Sequence, residues 1–415
     1  MSFLKNVSVL LAGNTIAQVI PFLFSPIISR LYTPEDFGFM GLVYGTIAMT
    51  LSPILNLRYE QAIILPQEDR KSLSLINISF LSSLGLTLIF ILLSIFLNDQ
   101  IVHFFNEPRL KLWIYIVPLF MLFVGFQTPL NYWLIRKKAF KATAINKIAQ
   151  TSIIVITAIG LSLVKFDGNL IIAYLLGWLI FVIFTFYQSI KKEFRFILTK
   201  VTELTRVAKE YKSFPIYNIL PTILITSCQI FLPVLFLQKH FNTETVGYFT
   251  HIRQYTLVPL SLLSIAISQV LLESLSSKIK NREPIFPLLK KLLFSLIAIS
   301  IPAYLTIRFF GPELFTLIFG ESWKISGEFA QILILGFVIQ TIAAPFGQII
   351  TAVNKMKYSI IFPLIYFVLL FSLFFIKVNN IESVLWYITL SEVAAYTVFL
   401  IISLSLASQY ERSNK

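Results

Sequence analysis

Twelve stretches of this chain stay apolar for roughly the 20 residues that a helix needs to cross a bilayer, and polar residues gather between the stretches instead of alternating within them. Inside hydrocarbon, a helix satisfies every backbone N–H and C=O within its own segment, so each stretch predicts a membrane-spanning helix. The first six run from Val7 to Ser29, Gly38 to Leu57, Ser72 to Leu97, Leu112 to Ile135, Ile148 to Val164 and Leu170 to Gln188. The second six run from Phe214 to Leu237, Thr250 to Leu272, Pro287 to Ile307, Phe329 to Val353, Tyr358 to Ile376 and Ser383 to Ala407. In the ninth, Lys290 and Lys291 must snorkel to the interface. The opening resembles a secretory signal, but its apolar run continues to Ser29, well beyond an h-region of about 7 to 15 residues, and reads as an uncleaved first span. The expected fold class is an all-α integral membrane protein.

Composition agrees with that pattern. The chain has 415 residues, is 57% hydrophobic and 13% charged, and its mean hydropathy is +0.80, a balance unsuited to a water-soluble domain. A formal charge of +14 raises nucleic acid as a partner. Such a binder needs a solvated basic domain, none is visible, and nucleic acid is set aside. The charge follows the loops instead. With the amino terminus placed in the cytoplasm, 25 Lys and Arg fall on the inner side and eight on the outer side, leaving Arg253 within a span. The expected topology therefore has both termini in the cytoplasm.

The chain also repeats. Arg30-Leu-Tyr32-Thr-Pro-Glu35-Asp-Phe37-Gly38-Phe39 matches Lys239-His-Phe241-Asn-Thr-Glu244-Thr-Val246-Gly247-Tyr248 at a constant offset of about 209 residues, as internal duplication requires. Shorter matches pair Phe105-Asn106-Glu107 with Phe319-Gly320-Glu321, and Lys137 to Phe140 with Lys355 to Tyr358. This organisation gives an N-terminal six-helix lobe (1–190), a basic cytoplasmic connector (191–213) and a C-terminal six-helix lobe (214–415). The connector is too short to be more than an amphipathic surface helix, and its cations suit anionic lipid.

Candidate chemistry is sparse. Cys228 has no thiol partner, the three histidines (His103, His240, His251) fall near the outer edge without metal-ligand spacing, and no glycine-rich phosphate loop occurs. No cofactor or metal is expected. Burying arginine at membrane depth costs about 2.5 to 3.5 kcal/mol on insertion scales, so Arg253, one to two turns into the eighth span, either lines a water-filled cavity or snorkels outward. Arg58, at the inner end of the second span, is an inside anchor or a substrate contact. Arg30 and Arg308 read as caps of spans at the outer face. Together the four could form a cationic track, since the planar guanidinium donates paired hydrogen bonds to phosphate and keeps its charge. Glu392 is the one acid clearly inside a span, the placement a proton-coupling carboxylate needs, although pairing with an arginine is equally open. Pro21, Pro26, Pro221, Pro233 and Pro345 interrupt spans one, seven and ten, as packing kinks or as bends for alternating access.

At this point the motifs resemble a family. Leu11-Ala-Gly13-Asn14-Thr-Ile-Ala-Gln18 through Pro26, followed by Arg30-Leu-Tyr-Thr-Pro34-Glu35-Asp36-Phe37-Gly38, is similar to the Wzx-type polysaccharide flippases of the multidrug/oligosaccharidyl-lipid/polysaccharide exporter superfamily. Arg58-Tyr59-Glu60-Gln61-Ala62-Ile63, Gly311-Pro312-Glu313-Leu314-Phe315 and Phe319-Gly320-Glu321-Ser-Trp323 fit the same family. The resemblance covers essentially the whole chain. It implies a MATE-like fold, with two six-helix bundles around a central cavity, that moves an undecaprenyl-diphosphate-linked oligosaccharide, an O-antigen or capsule repeat unit, to the outer leaflet. It also implies a cationic cavity for the diphosphate, with Arg253 and Arg58 as positional candidates, and partners in the polymerase and chain-length machinery.

Two rival functions remain. Cation-coupled multidrug exporters of the superfamily commonly carry an acidic residue in the first, seventh or tenth helix, and this chain has none within those spans. A polysaccharide polymerase or ligase acting on the same lipid would carry a sizeable external loop, whereas the longest outer connections here, around Asn98 to Lys111 and Arg308 to Glu328, are short. The expectation is a transporter with proton antiport as its candidate coupling.

Overall fold

The computed structural model describes residues 3–164, 166–197, 199–378 and 380–413, with side chains between 15 and 412. The side chains of Lys5 and Asn14, and residues Lys165 and Lys415, lie outside the described residues. Helix follows helix, and no strand occurs among the described residues. The first span is Phe3–Leu31, whose described apolar stretch is Thr15–Leu31. Eleven further helices are long and apolar enough to cross a membrane. Spans two to six are Pro34–Leu55, Asp69–Phe96, Leu110–Arg136, Phe140–Leu161 and Asn169–Lys191. Spans seven to twelve are Ser213–His240, Thr243–Lys280, Phe286–Phe319, Glu321–Ala352, Met356–Phe375 and Ile381–Arg412. The molecule is a multi-pass all-α membrane protein.

Several helices overrun their hydrophobic stretches, because a helix ends where its backbone is capped and not where hydropathy falls. Thr33 caps the second span in a reciprocal box with Asp36, and Pro34 occupies the first helical position, where its missing N–H costs nothing. In the second repeat Asn242 does the same work, its Oδ1 accepting from the backbone N–H and the hydroxyl of Thr245 at 2.8 Å each. The helix of the eighth span thus begins at Thr243, ahead of the apolar stretch from Thr250, and contains Gly247. The ninth runs on to Phe319 across a break at Phe310 (φ −121°, ψ 17°), just before Gly311-Pro312.

The chain divides into two compact units, Met1–Thr226 with Leu237–Gly247, and Ser227–Phe236 with Tyr248–Lys415. In the first unit, a ten-residue amphipathic helix, Val201–Glu210, follows the sixth span. It turns Val207 into an apolar cluster with Tyr59, Ile63, Trp133 and Phe194. It is also tied to the third span by Arg70–Glu203 and Lys71–Glu210 pairs at 2.9 and 3.3 Å.

Proline in a span deprives the carbonyl four residues earlier of its helical donor. Side chains replace that donor repeatedly. Ser25 bonds the Phe22 carbonyl below Pro26 at 2.6 Å, and Ser52 bonds Met49 below Pro53 at 2.9 Å. Asn56 reaches Gly125 below Pro129 at 2.8 Å, and in the second unit Ser264 reaches Thr341 below Pro345 at 2.9 Å. Pro21, Pro26 and Pro221 sit within helix, whereas Pro233 follows a π-helical stretch, Ser227–Phe231, and Pro345 lies in a 3-10 turn, Ala344–Phe346.

The repeat has a structural signature within the first unit. A Cβ added to Gly38 would land on the Thr243 carbonyl oxygen, and one added to Gly247 would land on that of Pro34. The offset that carries 34 to 243 also carries 38 to 247, so the two repeats make the same contact on each other, as elements related by a two-fold axis do. Only glycine permits this approach. Replacing Gly38 with Val is expected to cost about 1 to 3 kcal/mol or to abolish folding. Gly85→Ala, which meets no atom within 4 Å, should leave the melting temperature in detergent unchanged or raised. Equal melting temperatures for Gly38→Val and wild type would refute the contact.

Candidate functional site

The candidate site lies in the second unit, where spans eight, ten and twelve converge. Arg253 stands ten residues into its helix, about 15 Å along the axis and deeper than the sequence implied, because the helix begins at Thr243. It opens a π-helical stretch, Arg253–Leu257, whose widened turn is a feature often found at functional positions. Its guanidinium lies 5.7 Å from the Phe249 ring and 5.8 Å from the Phe337 ring, a cation–π setting that holds the charge without neutralising it.

Glu392 on span twelve is fully buried. Neither carboxylate oxygen accepts a hydrogen bond from a described residue. One of them fills the space where Gly336 of span ten lacks a Cβ, so the close helix approach is built around the acid. Arg253 is close enough for its charge to act on Glu392, and the Glu392 charge in turn reaches Tyr366 and Tyr396. Tyr396 also meets Gln229 of span seven at 3.4 Å. Glu60, Glu107 and Glu392 are the buried carboxylates among the described residues, and of these only Glu392 lies inside a membrane span.

The other sequence candidates are placed differently. Arg58, with left-handed backbone (φ 63°), precedes the 3-10 helix Tyr59–Ile64 and faces Glu60 at 3.5 Å, its side chain 15% exposed. Burial raises the Glu60 carboxyl above its ordinary value even though the Arg58 charge pulls the other way. Arg30 occupies the last turn of the first span, where a cation suits the carbonyl end of the helix. Arg308 lies two residues before the break at Phe310, inside a longer helix. Arg253 and Glu392 are the two candidates that the structure brings together within one unit.

The family described as polysaccharide biosynthesis protein matches residues 27–327. The chain belongs to that family. A search of curated sequences returns no match. Among solved structures, the fold is similar to the lipid II flippase MurJ in an inward closed conformation, with TM-score 0.73, 13% identity, and coverage of 98% of this chain and 90% of that one. It is also similar to an inward-facing MATE-family multidrug resistance transporter of the MOP superfamily, with TM-score 0.69, 14% identity and 100% of both chains covered. At these identities the likeness establishes the fold alone, one that this chain shares with both transporters.

Within this polysaccharide biosynthesis protein, two of the strings that carried the family resemblance contribute packing contacts. Residues 59–63 lie in the 3-10 helix Tyr59–Ile64, and Tyr59 donates to the Ala208 carbonyl of the amphipathic helix at 3.2 Å. Phe315, Phe319 and Trp323 box in His251, whose ring stacks on Trp323 at 3.7 Å. That histidine is fully buried, contrary to the surface position expected of it. His103 and His240 are exposed, lining a recess of about 760 Å³ with Asp99 and Lys239.

Beside the Gly38 and Gly247 contact, Glu107 is nearly buried yet ionically saturated. It is paired with Arg109 at 2.9 Å and accepts from Thr243 Oγ1 at 2.5 Å, while Arg109 also holds Glu35 at 2.9 Å and covers the Phe39 ring at 4.4 Å. Sequence reading passed over Glu107 because acid in a loop is ordinary; the signal was its place within the repeated Phe-Asn-Glu string. It also misplaced Lys147, counted as a loop cation but set seven residues inside the fifth span.

Burial works against ionisation of Glu107, but hydrogen bonds from Arg109 and Thr243 and the Arg109 charge together outweigh it and hold the carboxyl below its ordinary 4.5. A lowered carboxyl contributes stability above its unfolded value and loses it as pH falls through the folded one. Glu107→Gln is therefore expected to lose about 1 to 3 kcal/mol at pH 7. Its melting temperature should converge on wild type as pH drops below about 4.5. A constant difference down to pH 3 would rule the charge out.

Proposed function

We propose that the protein is a flippase for an undecaprenyl-diphosphate-linked oligosaccharide, an O-antigen or capsule repeat unit, in the bacterial inner membrane. The observation that carries this reading is the Arg253 and Glu392 pair, set deep in spans eight and twelve of a MOP-superfamily fold whose family is one of polysaccharide biosynthesis. A diphosphate crossing a low-dielectric region must be neutralised on the way, and a guanidinium does this with paired hydrogen bonds. Arg253 is the diphosphate contact in this scheme. The neighbouring fold of a lipid II flippase supports the choice of a lipid-linked substrate.

Glu392 is the coupling carboxylate. Unprotonated, it holds the Arg253 charge. Taking up a proton releases that charge to the diphosphate, and losing the proton returns it, so protonation of Glu392 and binding of the diphosphate at Arg253 favour each other. Arg58, Arg30 and Arg308 are secondary contacts along the route. The charge asymmetry of the loops supports cytoplasmic termini, with lobes 1–190 and 214–415 joined by the basic connector 191–213, and the short outer connections support a transporter instead of an enzyme.

Deletion of the gene is expected to leave complete, unpolymerised lipid-linked repeat units facing the cytoplasm. Accumulation on the outer leaflet would instead indicate a polymerase, and intact polysaccharide with lost drug resistance an exporter. At normal protein abundance, Arg253→Ala should abolish surface polysaccharide and Arg253→Lys should restore it in part. Glu392→Gln should remove the pH dependence of transport; an unchanged profile would exclude Glu392 from coupling.

A further inference from the structure

The first unit contains a membrane-embedded cation that the proposed scheme does not use. Lys147 lies about 10 Å along the fifth span from its start at Phe140. A lysine that snorkels turns back toward the near end of its helix. Lys147 does the opposite, donating to Gln150 Oε1 at 2.8 Å, one turn further in, and resting 5.1 Å from the Phe181 ring and 5.9 Å from the Trp178 ring.

Its surroundings are polar without being acidic. Gln188 donates to Asn146 at 3.4 Å, and Trp178 donates to the Tyr44 hydroxyl at 3.0 Å. Lys71, Lys111, Lys137 and Lys278 all have carboxylate partners within 3.4 Å; among the described residues Lys147 has none. An ammonium has three N–H donors, and Gln150 takes one. The ammonium is thus held in place by an amide and two rings, half-buried, with donors to spare and no counter-ion.

Tyr44 adds a second observation. The offset that superposes the glycine contact carries Tyr44 onto Arg253, and both lie in π-helical stretches, Gly41–Ala48 and Arg253–Leu257. The Tyr44 that accepts from Trp178 beside Lys147 is therefore the repeat counterpart of Arg253.

We propose that Lys147, braced by Gln150, Phe181 and Trp178, is a second anion-binding subsite that receives an oxyanion of the transported molecule, a phosphate or a sugar carboxylate. It rests on the flippase reading for the identity of that molecule and on the Lys147 geometry alone for the anion.

The test uses full-length protein in nanodiscs of zwitterionic lipid, with two probes, radiolabelled undecaprenyl diphosphate and methyl glucuronide as its competitor. Wild type should bind at least one probe saturably. Lys147→Gln and Lys147→Met should weaken that binding about tenfold or more, and Lys147→Arg should largely retain it. Loss confined to undecaprenyl diphosphate places the oxyanion on the lipid; loss confined to glucuronide places it on the glycan; both support the subsite. Saturable binding of neither probe, or unchanged affinity in Lys147→Gln, overturns it. So does a variant whose melting temperature falls while its affinity holds, the mark of a purely structural lysine. The leaflet assay is independent: its failure with Lys147-dependent binding intact would remove the flippase reading and leave the subsite standing.

Discussion

Hydrocarbon offers no hydrogen-bond partner, and that single constraint organises this molecule. Each proline in a span exposes a carbonyl, and Ser25, Ser52, Asn56 and Ser264 stand where four such carbonyls need a donor. Asn56 goes further. The same amide also reaches the Ser79 carbonyl and Ser83 Oγ, joining spans two, three and four through one buried node. Small hydroxyl and amide side chains do most of the polar work in both units, leaving the apolar bulk to meet lipid.

Against that background, unmet polar groups stand out. Glu392 has its space reserved by Gly336 and its charge opposed by Arg253, yet its oxygens receive no hydrogen bond from a described residue. A fold that supplies a partner to a proline-freed carbonyl four times over had the means to supply one here. Glu107, by contrast, is fully provided for by Arg109 and Thr243, as a carboxylate with a structural role should be. The difference sets a buried acid without a hydrogen bond from a described residue apart from one that is held on several sides.

Sequence pattern made most of the fold legible because span length and loop charge are set by the bilayer, which is the same along the whole chain. Helix ends were less legible, since Asn242 caps its helix well before the apolar stretch starts. Arg253 and Glu392 were found because charge is rare in such spans, and rarity is visible without coordinates. Their convergence was not visible, because it depends on Gly336, one small residue among many. Lys147 was lost among the loop lysines: the counting that explains topology treats every cation near a span end as an anchor, and only the direction of its side chain distinguishes it.

Duplication first produces two equal halves, and at one matched level they have since parted company. The Tyr44 hydroxyl accepts from Trp178 and its ring packs on Tyr174, while the charge of its counterpart Arg253 acts on a carboxylate. The ancestral scaffold offered one kind of position twice, and the chain has made it aromatic in one copy and ionic in the other. The matched position has kept its π-helical backbone in both copies while the chemistry it carries has changed.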